Sequence, residues 1–115
     1  MVSTVRRGEV WFANLNPTIG SEIAKRRPVL IVSNDANNRA SATITVMPIT
    51  SQIVRVYPFE VALQKGAAGL SKASKAQAQQ VRTISRERIS GKRVGALSAE
   101  EMVRVDAALR LHLSL

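Results

Sequence analysis

Pro28-Val29-Leu30-Ile31-Val32-Ser33 is the stretch on which the fold class turns. This continuous run of β-branched residues and Leu has the length of a strand, and without polar alternation it suits one buried on both faces. Upstream, Gly8–Leu15 (GEVWFANL) offers a second apolar strand through Val10, Trp11, Phe12 and Leu15. Between the two, Asn16–Glu22 is loop chemistry, with Pro17 and Gly20 fixing the turns. Downstream, Asn34–Asn38 reads as a loop, with a short helical turn near Arg39. Ala42–Ile49 (ATITVMPI) alternates and predicts a strand, and Pro48 puts its far end at an edge or bulge. Tyr57–Leu63 (YPFEVAL) sets Phe59, Val61 and Leu63 on one face and Glu60 and Ala62 on the other, the pattern of a half-buried strand.

Residues 64–76 are mostly Gly, Ala, Ser and Lys around Leu70 and read as a mobile basic loop. Ala78–Ile84 predicts a further strand, Arg86–Ile89 one helical turn, and Gly91–Leu97 a last short strand. A helix follows. Ser98-Ala99-Glu100-Glu101 is a capping box, and Met102, Val105, Leu109 and His112 recur at helical spacing with Leu113 beside them. Five or six strands plus a C-terminal helix imply a mainly β fold, a small curved antiparallel sheet or barrel. With 115 residues, 45% of them hydrophobic, the chain suits one domain over 1–115.

Composition excludes several chemistries. There is no Cys, hence no disulfide scaffold, thiolate zinc site or cysteine nucleophile. A single His, His112, excludes a two-histidine acid/base pair within one chain and is expected to be structural. No apolar run reaches signal-peptide or membrane-span length, so a soluble cytosolic protein is expected, and the absence of Cys and His clusters fits a chain with no metal or other cofactor. The net charge is +9, and it is uneven. Lys65, Lys72, Lys75, Arg82, Arg86, Arg88, Lys92 and Arg93 crowd 65–93 against Glu87 alone. Such a block points to a polyanion partner, nucleic acid before membrane.

Three stretches offer chemistry. Gly20–Pro28 carries Glu22 and then Lys25, Arg26 and Arg27, running straight into the PVLIVS strand. Pro28 pushes Arg27 to extended geometry, so its planar guanidinium is held ready for a phosphate. Thr50, Ser51 and Gln52 close the next strand with two hydroxyls and an amide. Gln80, Arg82 and Ile84 share one face of the AQQVRTI segment, where polar groups could meet bases or phosphates.

Six blocks, in order, give these stretches a common context: Arg7-Gly8-Glu9-Val10-Trp11-Phe12, Asn16-Pro17-Thr18-Ile19-Gly20-Ser21-Glu22, Arg27-Pro28-Val29-Leu30-Ile31-Val32, Pro48-Ile49-Thr50-Ser51, Tyr57-Pro58-Phe59-Glu60-Val61 and Gln80-Val81-Arg82-Thr83-Ile84. In this order and spacing the chain resembles, nearly end to end, the MazF/PemK family of bacterial toxins. The resemblance implies an SH3-like small barrel or curved sheet with a C-terminal helix. It further implies a homodimeric toxin of a type II toxin–antitoxin system that cuts single-stranded RNA without metal. By the same resemblance Arg27 and Thr50 are the catalytic residues, and the cognate antitoxin is a small protein with an acidic tail. Lys25, Arg26, Ser51, Gln80 and Arg82 are expected to bind RNA.

Two departures from the family pattern stand out. Some members carry a carboxylate where this chain has Gln79, which leaves Glu22 as the candidate base or as the residue orienting Arg27. Many members have small residues where this chain has Lys25 and Arg26, so phosphate binding should be stronger and salt-sensitive. Two other functions compete with the ribonuclease: a non-catalytic RNA-binding barrel, and a toxin of the same fold acting on a protein target such as gyrase. The presence of both Arg27 and Thr50 favours the ribonuclease.

Overall fold

The computed structural model describes residues 4–115. Seven strands and two helices follow one another as β1 (Glu9–Asn14), β2 (Arg26–Ile31), α1 (Asp35–Ala40), β3 (Thr43–Thr50), β4 (Glu60–Leu63), β5 (Ser74–Gln77), β6 (Arg82–Ser85), β7 (Ile89–Ala96) and α2 (Ala99–Leu113). All pairings are antiparallel. The sheet runs β4-β5-β3-β2-β1-β7, with β6 beside the first half of β3. Among the described residues no helix is long and apolar enough to cross a membrane.

The PVLIVS run is buried on both faces, as its composition predicts. Val29 and Ile31 enter one core with Trp11, Ala13, Ile44, Val46 and Ile84. Leu30 enters the other with Val10, Met47, Ile49, Val61 and, from α2, Val105 and Ala108. Pro48 sits inside β3 at a break in its outer edge: β6 covers Thr43–Val46 and β5 begins at Ile49. A residue without an N–H costs least at such a change of partner.

The ladder does not close into a barrel. Its open ends, β4 and β7, are bridged by a 3-10 turn at Ala67–Gly69 that packs on β7. Backbone meets backbone there, because a Cβ on Gly95 would overlap the Ala68 carbonyl and one on Gly69 the Val94 carbonyl.

Several expectations are corrected. Residues 64–76 are not a loop throughout; they contain the 3-10 turn and β5, and Leu70 is buried. β5 carries no large apolar residue and is ordered by pairing with β3 on one side and β4 on the other. Only Glu60–Leu63 of the YPFEVAL segment is strand, and Glu60 is buried rather than solvent-facing. Ala78–Gln80 is a 3-10 turn, and the strand begins at Arg82. On α2 the capping box forms as read: Ser98 Oγ accepts from Glu101 N at 3.1 Å and Glu101 Oε1 accepts from Ser98 N at 2.8 Å. Its apolar stripe ends at Leu109, and His112 and Leu113 are exposed.

Candidate active site

The chain between β1 and β2 is tied down at both ends. Leu15 N donates to the Lys25 carbonyl at 3.0 Å, and Lys25 N donates to Asn16 Oδ1 at 3.1 Å. Gln80 grips the middle: its Oε1 accepts from Ile23 N and its Nε2 donates to the Ser21 carbonyl. Arg82 donates to the Leu15 carbonyl at 3.1 Å. The loop therefore delivers Lys25, Arg26 and Arg27 from a braced backbone. Lys25 adopts φ +73°, a left-handed conformation that costs an ordinary side chain about 1–2 kcal/mol.

Arg27 is half-buried, and its Nε donates to the Ala24 carbonyl at 2.7 Å. That bond fixes the root of the guanidinium and leaves both terminal nitrogens free of it. The β2–β3 register pairs Val29 with Pro48, and continuing it by two residues sets Arg27 opposite Thr50. Thr50 is 7% exposed, and its Oγ1 accepts from Gln52 N at 3.2 Å, so the hydroxyl hydrogen remains available.

Both residues line one cleft of about 350 Å³. Lys25, Arg26 and Ser51, named from the sequence as RNA-binding, share it. The far wall comes from Leu70, Ser71, Lys72 and Ser74, in the segment whose composition suggests a loop. The sequence reading missed this wall; the available signal was Leu70, one large apolar residue among small ones. Phe12, Pro28 and Ile49 form an apolar side. The arrangement offers four cations and four hydroxyls to an anion, beside a surface suited to a flat apolar group.

Three residues named from the sequence do not line the cleft. Gln80 and Arg82 turn their polar groups to the loop, as above. The Glu22 carboxylate accepts from Ile19 N at 2.6 Å while Glu22 N donates to the Ile19 carbonyl, closing a small turn ahead of Ala24. Gln79 faces a different group: its Nε2 donates to Glu60 Oε2 at 2.6 Å. A carboxylate at 79 would oppose the buried Glu60, whereas an amide can serve it. Lys75 is likewise not part of a surface patch, since it is buried against Glu60 at 2.9 Å. Among the described residues no three His, Cys, Asp or Glu side chains gather as a metal site.

Comparison with known proteins is consistent from end to end. Residues 6–113 match the family described as PemK-like, MazF-like toxin of type II toxin–antitoxin system. The chain is 47% identical to endoribonuclease MazF9 of Mycobacterium tuberculosis, covering 96% of this chain and 98% of that one. It is 40% identical to endoribonuclease EndoA of Bacillus subtilis, covering 96% of each. Among solved structures, a mycobacterial endoribonuclease in complex with its cognate antitoxin superposes with a TM-score of 0.79 at 25% identity, over 96% of both chains.

Proposed function

Because the chain belongs to the PemK-like, MazF-like toxin family of type II toxin–antitoxin systems, we propose that it is a sequence-specific endoribonuclease cutting single-stranded RNA without a metal ion. The observation that carries this reading is the meeting of Arg27 and Thr50 in one basic cleft. The 2′-hydroxyl of RNA attacks the adjacent phosphorus and gives up its proton to a solvent water. The bond to the 5′-oxygen then breaks, and that oxygen takes a proton from Arg27, which regains one from solvent. The products are a 2′,3′-cyclic phosphate and a 5′-hydroxyl.

The transition state gathers negative charge on the phosphoryl oxygens. Arg27 stabilises it through its free terminal nitrogens and protonates the leaving oxygen; Thr50 donates to a non-bridging oxygen. Lys25 and Ser51 hold the flanking phosphates, and Arg26 joins them in binding the RNA. Glu22 acts as the orienter: its turn sets the position of Ala24, whose carbonyl anchors Arg27. Gln80 and Arg82 serve RNA binding through the loop they brace.

The protein acts in the cytoplasm as a homodimer, for which Val54, Val103 and Leu111 supply exposed apolar surface. Its antitoxin brings an acidic segment into the same cleft and competes with RNA for the cations.

The test is incubation with a long mixed-sequence RNA in EDTA, followed by mapping of new 5′ ends. Discrete cuts ending in 5′-hydroxyls, absent with Arg27→Ala, are expected. RNA bound but uncut by the wild-type protein would overturn the reading.

A further inference from the structure

Arg26 differs from the other cations of the cleft. Its guanidinium carbon lies 4.4 Å from the centroid of the Phe12 ring. Among the described residues it forms no ion pair. The register explains the pairing: Phe12 stands opposite Pro28 and Asn14 opposite Arg26, so Phe12 and Arg26 are diagonal neighbours across β1 and β2. Strand β7 passes beside the guanidinium at Gly91, where a Cβ would make an ordinary contact with Arg26 Nη2 at 3.8 Å. The guanidinium lies over the ring, and Arg26 is otherwise exposed. Phe12 is half-buried, which fixes the ring as a backing plate.

We propose that Arg26, backed by Phe12, is a stacking seat for a nucleobase beside the scissile phosphate, and so determines which sequence is cut. This rests on the ribonuclease reading and extends it to specificity. A guanidinium is planar, weakly hydrated, and stacks on aromatic faces and on bases alike. Held over a ring, it has already lost the freedom that stacking would remove. Lys25 and Arg27 supply positive charge in the same cleft, and Phe12, Pro28 and Leu70 give it apolar surface. A phosphate needs none of these apolar groups; a base face does.

Two substitutions separate stacking from charge. Arg26→Lys keeps the charge and loses the plane. Phe12→Leu keeps apolar bulk and loses the ring. Mapping 5′ ends on a mixed-sequence RNA gives the base distribution on each side of the cut. In both variants binding of the RNA should weaken about 5- to 150-fold, the range for loss of one stacked base, and the base preference at one flanking position should flatten. A second readout needs no cleavage. RNA blocked by 2′-O-methyl groups and carrying 2-aminopurine beside the blocked position should lose fluorescence on binding the wild-type protein and regain it with either variant. Arg26→Lys alters an exposed side chain and carries the test if Phe12→Leu fails to fold.

Unchanged base discrimination in Arg26→Lys, with only a shallower salt dependence in Arg26→Ala, would make Arg26 a phosphate contact and overturn the proposal. So would 2-aminopurine that stays bright on the wild-type protein. Quenching without any cutting would uphold the seat and remove the ribonuclease reading instead.

Discussion

Lys75 is the register partner of Thr50 across β3 and β5, and its ammonium lies 2.9 Å from Glu60 Oε1. The same ammonium donates to the Arg55 carbonyl at 2.7 Å, so one buried cation ties the strand bearing Thr50 to the segment that follows it. Removing one partner of a buried pair strands the other charge and costs about 3–5 kcal/mol. Lys75→Met should therefore lower stability by roughly that amount in chemical denaturation. Adding Glu60→Gln to it should recover much of the loss, and a double variant as unstable as the single one would show that the pair is not the cause.

Glu60 also predicts an acid limb. Burial raises its pKa, but hydrogen bonds from Tyr57 N, Gln79, Lys75 and Gln77 outweigh burial and hold it at about 2, below the ordinary 4.5. A carboxyl depressed on folding stabilises fully above its unfolded pKa and loses that contribution as pH falls towards the folded one. Stability should be level down to about pH 5 and then decline towards pH 2, by on the order of 3 kcal/mol from this group. Glu60→Gln should flatten that limb in a thermal melt followed across pH.

Thr50 and Arg27 should separate in kinetics. Loss of one preorganised donor to a transition-state oxygen costs about 10²–10³ in kcat. Thr50→Ala should fall in that range, with Thr50→Ser near wild type, while Arg27→Ala should cost more because charge and proton donor leave together. Single-turnover cleavage of a mapped RNA gives the comparison. Equal losses for Thr50→Ala and Thr50→Ser would mean the methyl group, not the hydroxyl, matters.

Lys25 sets stability against binding. Its φ of +73° suits glycine, so Lys25→Gly should raise stability by about 0.5–1 kcal/mol. The same change removes a cation from the cleft, so RNA affinity should drop and its salt dependence should lose about one phosphate contact. A melt and a salt titration on one variant test both halves.

Large apolar runs were legible in the sequence. PVLIVS, GEVWFANL and the capped C-terminal helix lie within two residues of where their patterns put them. β5 was not legible, because Ser74–Gln77 owes its place to neighbours on both sides and to a charge neutralised out of sight at Glu60. Alternation set Glu60 towards solvent for the same reason: the pattern cannot see its four donors. At the site, Arg27 and Thr50 could be named from the chain, but their opposition depends on a register that only the folded sheet defines. Gln80 and Arg82 carry polar groups in the expected segment; the chain does not tell which way they turn, and they turn to the loop.

The seam between the 67–69 turn and β7 joins the sheet's ends by two absent side chains, at Gly69 and Gly95. Leu70, next in the chain, begins the far wall of the cleft. A single methyl at either glycine should act as a wedge, shifting that wall and its Lys72 while Arg27 and Thr50 keep their own strands. A neutral alanine well outside the cleft should thus be able to disarm the protein, with no lesion among the residues that line it.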